Sequence, residues 1–219
     1  MPPDASSGHC FYFGTFNPVH SGHLMVAQSA LSQFGGLLGF ERITFMPAGT
    51  PPHRHEQPDL LAAALRLKLV QLATAHHPGF TVSDFELSLP DKSYTVDTLS
   101  RLAQAGLITP PVPFIIGADA LAKLASWHQP DVLIDTVHFL QAPRPEYPWV
   151  EHVTLNGQKI ALNTSRIHMP PLAISATTIR QQLRQTQPPA DLEALRYYLP
   201  EPVRAFIGWN GLYQNPTPL

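Results

Sequence analysis

An apolar run, Cys10–Phe13, delivers the chain into Gly14-Thr15-Phe16-Asn17-Pro18-Val19-His20-Ser21-Gly22-His23. Helical spacing begins immediately afterwards, at Leu24, Ala27, Leu31 and Phe34. This reads as a buried strand, a glycine turn and a helix starting near Ser21, which is the first half of a β-α-β unit. Gly14 permits tight turning and close approach of a ligand to the backbone. The helix start presents free N–H groups and the positive end of its dipole to an anion. His20 and His23 then share one face of the first turn, where two imidazoles can donate hydrogen bonds to a phosphate. Other readings stay open on this stretch alone: an Asn-Pro loop, two surface histidines, or two ligands of a zinc site.

Downstream the same alternation continues. Arg42–Met46 reads as a second strand ending at Pro47, Leu60–Ala75 as a helix, Thr81–Leu87 as an alternating strand, and Val96–Ala105 as a helix stopped by Gly106. Pro113–Ile116 is a fully apolar strand ending at Gly117, and a short helix begins over Asp119–Ala125. Val137–Leu140 is a further buried strand and Lys159–Leu162 a shorter one. A helix starting at Ser175 covers Ile179–Leu183, and Leu192–Gly208 reads as one or two helices interrupted by Pro200 and Pro202. Short strands alternating with helices predict an α/β fold, a Rossmann-like doubly wound and mostly parallel sheet with helices on both faces. Ligands in such sheets sit beyond the carboxyl ends of the strands, where strand order reverses. The segments after Phe13, Met46, Ile116 and Leu140 therefore converge on one cleft.

The chain has 219 residues, enough for one domain. Residues 1–8 are expected to form a disordered tail and residues 9–219 the domain, with a small C-terminal helical part at about 175–213. The 24 prolines exceed the roughly 11 that an average 5% would give, but they punctuate the chain between apolar segments. Charged residues make up 14%, the net charge is −2 and no Lys/Arg cluster stands out, which argues against a nucleic-acid groove or a polybasic membrane patch. The lone Cys10, inside an apolar run, reads as a small core residue. No signal peptide and no apolar run of about 18 residues is found. The expectation is a cytoplasmic protein that acts on small molecules, without nucleic acid or membrane, and compatible with a homo-oligomer.

Four further clusters follow strand ends or helix starts. His53 and Arg54 emerge from the proline-stiffened loop after the second strand, and Arg54 could fork onto a phosphate or simply be exposed. Ser93-Tyr94-Thr95-Val96-Asp97-Thr98-Leu99 offers an N-cap for the next helix, or free N–H groups for a carboxylate. Gly117-Ala118-Asp119, followed by Trp127-His128, puts an acid at a strand end, where ribose hydroxyls are commonly bound, and a flat ring suited to stacking. Asp119 as a helix cap and Trp127 as core are the alternatives. Ile174-Ser175-Ala176-Thr177-Thr178-Ile179-Arg180 supplies hydroxyls at a helix start with an arginine on the Thr177 face. Capping accounts for Ser175 but not for Arg180.

Together these segments closely resemble the bacterial nicotinate-mononucleotide adenylyltransferases, a branch of the nucleotidyltransferase superfamily. The superfamily stretch Gly-Thr-Phe-Asp/Asn-Pro-x-His-x-Gly-His is matched from Gly14 to His23, and Ile-Ser-Ser-Thr-x-Ile-Arg from Ile174 to Arg180. Branch segments resembling Pro-Pro-His-Lys, Ser-Tyr-Thr-Val-Asp-Thr-Leu and Gly-Ala-Asp with a later Trp-His correspond to Pro51–Arg54, Ser93–Leu99 and Gly117–Asp119 with Trp127-His128, and the ending from Leu199-Pro200 to Leu212-Tyr213 fits as well. Three positions depart: Phe13 where the branch has a first glycine, Ala176 for the middle serine, and Arg54 for lysine.

The resemblance implies transfer of the adenylyl group of ATP to nicotinate mononucleotide, with Mg²⁺ accompanying ATP. It implies His20, His23 and Arg180 as catalytic residues. Gly14, Thr15, Phe16, Gly22, Ser175 and Thr177 join them around ATP, and Asn17, His53, Arg54, Thr95, Gly117, Asp119, Trp127 and His128 bind substrate, Asp119 near a ribose and Thr95 and Trp127 at the nicotinate ring and carboxylate. The neighbouring functions are adenylyl transfer to nicotinamide mononucleotide or phosphopantetheine, or a non-catalytic nucleotide-binding regulator of the same fold.

Overall fold

The computed structural model describes residues 8–51, 59–89, 94–170, 172–185 and 192–214. β1 (His9–Gly14) leads through α1 (Ser21–Leu38) to β2 (Arg42–Pro47), and α2 (Ala63–Thr74) leads to β3 (Phe80–Val82). The second half runs α3 (Thr95–Gln104), β4 (Val112–Gly117), the single turn α4 (Ala118–Leu121), α5 (Pro130–Thr136) and β5 (Val137–Ala142). A hairpin of β6 (His152–Leu155) and β7 (Gln158–Ala161) precedes β8 (Thr164–Arg166), and α6 (Ala176–Arg184) and α7 (Glu201–Trp209) complete the order.

Six strands form one sheet in the order β3-β2-β1-β4-β5-β8, every neighbouring pair parallel. From β1 the chain steps outward through β2 and β3, then returns to the other side of β1 with β4. The reversal lies between β1 and β4, so the crevice opens beyond Gly14 and Gly117. This is the doubly wound arrangement the alternation predicts.

Successive strand residues point to opposite faces, and here both faces are buried. Cys10, Tyr12, Ile43, Phe45, Ile115 and Leu140 enter one core with Ala27, Leu69, Ile179, Val203 and Ile207 from the helices. Phe11, Met46, Phe114, Ile116 and Phe139 enter the other, with Val96, Leu99, Leu121 and Leu133. A strand buried on both faces has no polar side, which is why these runs read as continuous apolar segments.

Several boundaries differ from the sequence reading. The Thr81–Leu87 strand stops at Val82, and Phe85–Ser88 is a 3₁₀ turn that buries Glu86 against the Thr98 hydroxyl, 2.8 Å away. The expected Lys159–Leu162 strand is one arm of an antiparallel hairpin outside the main sheet, whose sixth strand is the polar edge segment β8. Pro200 and Pro202 start α7 rather than interrupt it, Pro200 as N-cap and Pro202 in the first turn. Residues 1–7 of the expected tail lie outside the described residues, while the Gly8 carbonyl accepts the Glu41 amide at 3.2 Å. No helix among the described residues is long and apolar enough to cross a membrane.

Candidate active site

Beyond the switch point lies a cavity of about 330 Å³, lined by Thr15, Phe16, Asn17, His20, His23, Asp119, Arg144, Pro145, Tyr147 and the first turn of α6, Ser175–Thr177. Three separate chain segments singled out by sequence thus converge: the β1–α1 loop, the end of β4 and the start of α6. The N-termini of α1 and α6 both face this space, so two helix dipoles favour an anion there.

His20 is the N-cap of α1, in extended conformation, and His23 sits at the third helical position. Their rings stack with centroids 3.7 Å apart and planes inclined by 25°. Nδ1 of His23 accepts the backbone N–H of His20 at 3.2 Å, which leaves the proton of a neutral His23 on Nε2. The rings of Phe16 and Tyr12 stand edge-on to His23, at 5.1 and 6.0 Å, and fix its orientation. The His20 ring lies over Gly22, where an added Cβ would stand 3.1 Å from Nδ1. Gly22 is therefore needed for space rather than for its backbone angles.

Burial, followed by the charge of Arg144, lowers the His20 pKa to about 3. His23 is pushed the same way by burial, by His20 and by Arg144. In the free enzyme both imidazoles are neutral near pH 7 and offer N–H donors rather than cations. Nδ1 of His20 is buried at the start of α1, where the reciprocal capping arrangement turns it toward the His23 backbone N–H.

Arg144, with its neighbours Pro145 and Tyr147, lines the cavity without having been expected from the sequence. Its Nε lies 3.6 Å from Oδ1 of Asp119, and its Nη1 donates to the Ile174 carbonyl at 3.3 Å. The Arg144–Asp119 pair is partly exposed, a setting in which ion pairs contribute about 0–1 kcal/mol. Arg144 can therefore turn to a stronger anion at little cost. The signal for it was position: it follows β5, whose carboxyl end faces the same cleft. Asp119 folds back over Gly117, where an added Cβ would meet Oδ1 at 2.5 Å.

Behind the cavity wall, the β1–α1 loop is held by side chains. Arg66, 1% exposed, donates Nη1 to the Thr15 carbonyl at 2.8 Å, Nη2 to the Gly49 carbonyl at 2.9 Å and Nε to the Leu61 carbonyl at 3.0 Å. Arg180 donates Nη1 to the Asn17 carbonyl at 2.9 Å and Nε to Asp59 at 2.6 Å, and Arg184 donates to the same carboxylate. Arg180 thus supports the loop from behind rather than lining the cavity. The Asn17 amide donates to the Asp59 carbonyl, and its oxygen accepts from Leu61 N–H and the Tyr213 hydroxyl. Ser175 Oγ accepts the Thr178 amide at 3.1 Å, so it caps α6 as well as facing the cavity. Phe16 adopts φ 47°, a left-handed conformation that is uncommon for a bulky residue and belongs to a tightly held loop.

The remaining expected residues lie on the α3 side of the sheet. Thr95 opens α3, and Tyr94 before it contacts the His128 ring at 4.4 Å, which draws the start of α3 and Trp127-His128 together. Trp127 is half-buried against the core on that face, and His128 is exposed. Gly117 ends β4 between this group and the cavity. His53, Arg54 and Ser93 lie outside the described residues.

Residues 11–182 match the cytidylyltransferase-like family. A protein of Acidothermus cellulolyticus named a probable nicotinate-nucleotide adenylyltransferase is 36% identical over 206 residues, covering 92% of each chain. One of a Synechococcus strain, with the same name, is 36% identical over 220 residues and covers 98% of this chain and 99% of its own. Among solved structures, the Plasmodium falciparum nicotinic acid mononucleotide adenylyltransferase complexed with NaAD superposes with a TM-score of 0.74 over 94% of this chain and 97% of that one. At 18% identity that likeness speaks for the fold. With its strand order, its two histidines and its relatives in agreement, this chain belongs to the nicotinate-nucleotide adenylyltransferase family.

Proposed function

We propose that the cavity between α1, α6 and Arg144 holds the polyphosphate of ATP, and that the enzyme transfers the adenylyl group to nicotinate mononucleotide in NAD biosynthesis. A 5′-phosphate oxygen of the mononucleotide attacks the α-phosphorus in line. The bond from that phosphorus to the bridging oxygen of the β-phosphate breaks, and the products are deamido-NAD and pyrophosphate. The nucleophile belongs to the substrate, so the protein's work is positioning and charge stabilisation.

The observation that carries this reading is the stacked, neutral pair His20 and His23 at the start of α1, facing the start of α6 across the cavity. We assign their N–H groups to phosphate oxygens, where negative charge grows as the leaving group departs. Arg144 supplies the mobile cation, and Thr177 a hydroxyl beside free amides of α6. Gly14, Thr15 and Phe16 form the wall against the nucleotide, and Asp119 is placed to accept ribose hydroxyls. Arg180 keeps Asn17 and its loop in place. Thr95 and Trp127, on the α3 side, receive the nicotinate ring and carboxylate.

Magnesium, which we expect to arrive with ATP, suits hard oxygen ligands and few of them from protein. Asp119 is the carboxylate lining the cavity, and no cluster of three His, Cys, Asp or Glu suited to a metal occurs among the described residues. The ion would compensate polyphosphate charge, with phosphate oxygens and water as its main ligands. We place the enzyme in the cytoplasm, with small molecules as its partners.

The test is pyrophosphate release from ATP with nicotinate mononucleotide, nicotinamide mononucleotide or phosphopantetheine as acceptor. Turnover should be fastest with nicotinate mononucleotide. Faster turnover with either other acceptor would reassign the substrate, and no turnover with any would leave a nucleotide-binding protein without this activity.

A further inference from the structure

The C-terminal segment touches the phosphate loop at two points. At one end, the amide of Ser21, the first residue of α1, donates to the Tyr198 carbonyl at 2.8 Å. At the other, the Tyr213 hydroxyl donates to Asn17 Oδ1 at 2.8 Å, across 196 residues of sequence. Between these anchors lie Asn17, Pro18, Val19 and His20, all buried. Asn17 is 3% exposed and lines the cavity three residues before His20.

This loop depends on side chains for its shape. The Thr15 carbonyl is taken by Arg66 and the Asn17 carbonyl by Arg180. The Asn17 side chain is the hub that joins the Asp59 carbonyl, the Leu61 amide and the phenol of Tyr213. Tyr213 itself has φ 66°, a left-handed conformation that costs a non-glycine residue energy and persists where surrounding contacts impose it. Its ring packs on the core beside α7. Burial raises its pKa, with Arg180, Arg66 and Asp59 close enough to act on it, so the phenol keeps its proton and stays a donor.

We propose that Tyr213 is a positioning residue for adenylyl transfer, its hydroxyl fixing the Asn17 amide and thereby the loop that sets Phe16 and His20 against the polyphosphate. The proposal rests on the reading of this cavity as the polyphosphate site. It gives the turn that follows α7 a part in the reaction without contact with either substrate. A single missing hydrogen bond should move His20 by a small distance, and small displacements of reacting groups have large effects on rate.

The test is Tyr213→Phe, which keeps the ring and removes one O–H. Wild type and variant are compared in kcat, in both KM values, in melting temperature and in hydrogen exchange of the amides between residues 15 and 23. The expected result is a roughly tenfold fall in kcat, the scale of one neutral hydrogen bond, and faster exchange confined to that loop. KM for nicotinate mononucleotide should stay within about twofold. A kcat within twofold of wild type, or loop exchange unchanged, overturns the proposal. So does a general loss of protection across the sheet with both KM values raised, which would make Tyr213 merely structural. Binding of an ATP analogue to the wild-type enzyme, measured separately, tests the cavity: its absence would sink the polyphosphate reading, whereas binding with an unaffected Tyr213→Phe variant sinks only the positioning role.

Discussion

Replacing His20 by alanine separates catalysis from stability, because the structure makes opposite demands on the two. On the catalytic side the variant loses one N–H donor aimed at developing phosphate charge. Loss of one such donor costs about 10²–10³ in rate, or about 2.7–4 kcal/mol. On the stability side the variant loses ring packing against His23 and the His20 part of the α1 capping box, a loss of about 1 kcal/mol. Near pH 7.5 the melting temperature should therefore move by only a few degrees. Acid changes the balance. The pKa of His20 is near 3 in the folded protein and about 6.5 unfolded, so between these values the unfolded chain binds the extra proton and stability falls as pH falls. At pH 5 that amounts to about 2 kcal/mol relative to neutral pH, at about 1.4 kcal/mol per unit. His20→Ala removes this loss and should gain on wild type as the solution is acidified. Steady-state pyrophosphate release and urea unfolding at several pH values provide the measurement. A rate loss below tenfold, or an unfolding profile with unchanged pH dependence, would refute the reasoning.

Three further substitutions probe neighbouring parts of the site. Arg144→Ala should raise KM for ATP about tenfold, the scale of a charge-assisted hydrogen bond, and let the His20 resonance titrate at higher pH in an NMR titration; an unmoved titration would mean that Arg144 does not act on that ring. Gly22→Ala places a Cβ 3.1 Å from Nδ1 and 3.2 Å from Cε1 of His20, so overpacking of about 1–3 kcal/mol should displace the ring and cut kcat at least tenfold, whereas unchanged turnover would show that ring placement is not critical. Trp127→Ala should raise KM for the pyridine nucleotide more than that for ATP, and equal effects would contradict stacking of the ring there.

The segments legible in the sequence are those whose chemistry is local. Gly14–His23 shows its strand, turn and helix start within a few residues, and Ser175 caps the helix it begins. Strands buried on both faces are legible for the same reason, as short apolar runs with no polar side. The supports of the site are not local. Arg66 shares α2 with another cation, Lys68, and nothing in its spacing sets it apart until the Thr15, Gly49 and Leu61 carbonyls are seen around it. Asp59 meets Arg180 across 121 residues, and nothing in the spacing announces that pair. The Thr81–Leu87 misreading has a similar origin: Phe85 and Leu87 keep the strand alternation, but burial of Glu86 against Thr98 favours a turn.

The same division explains how a nearly neutral chain can hold a polyanion. Two of its arginines, Arg66 and Arg180, are buried in the support of the β1–α1 loop, so the cavity relies on helix starts, Arg144 and two uncharged imidazoles. In the free enzyme burial and Arg144 hold those imidazoles neutral, which spares the site a desolvated cation. A polyphosphate reverses the electrostatic part of that balance, because nearby negative charge favours the protonated ring. Binding should then draw a proton onto the pair, more at about pH 6 than at about pH 8, since protons are scarcer at the higher pH. Calorimetric titration with an ATP analogue in buffers of different ionisation enthalpy measures that uptake. The nucleotide's own phosphate also titrates in this range, so the informative quantity is the difference between wild type and His20→Ala. Equal proton uptake by the two proteins at pH 6 would mean that the imidazole stays neutral beside the phosphate and stabilises it by hydrogen bonding alone.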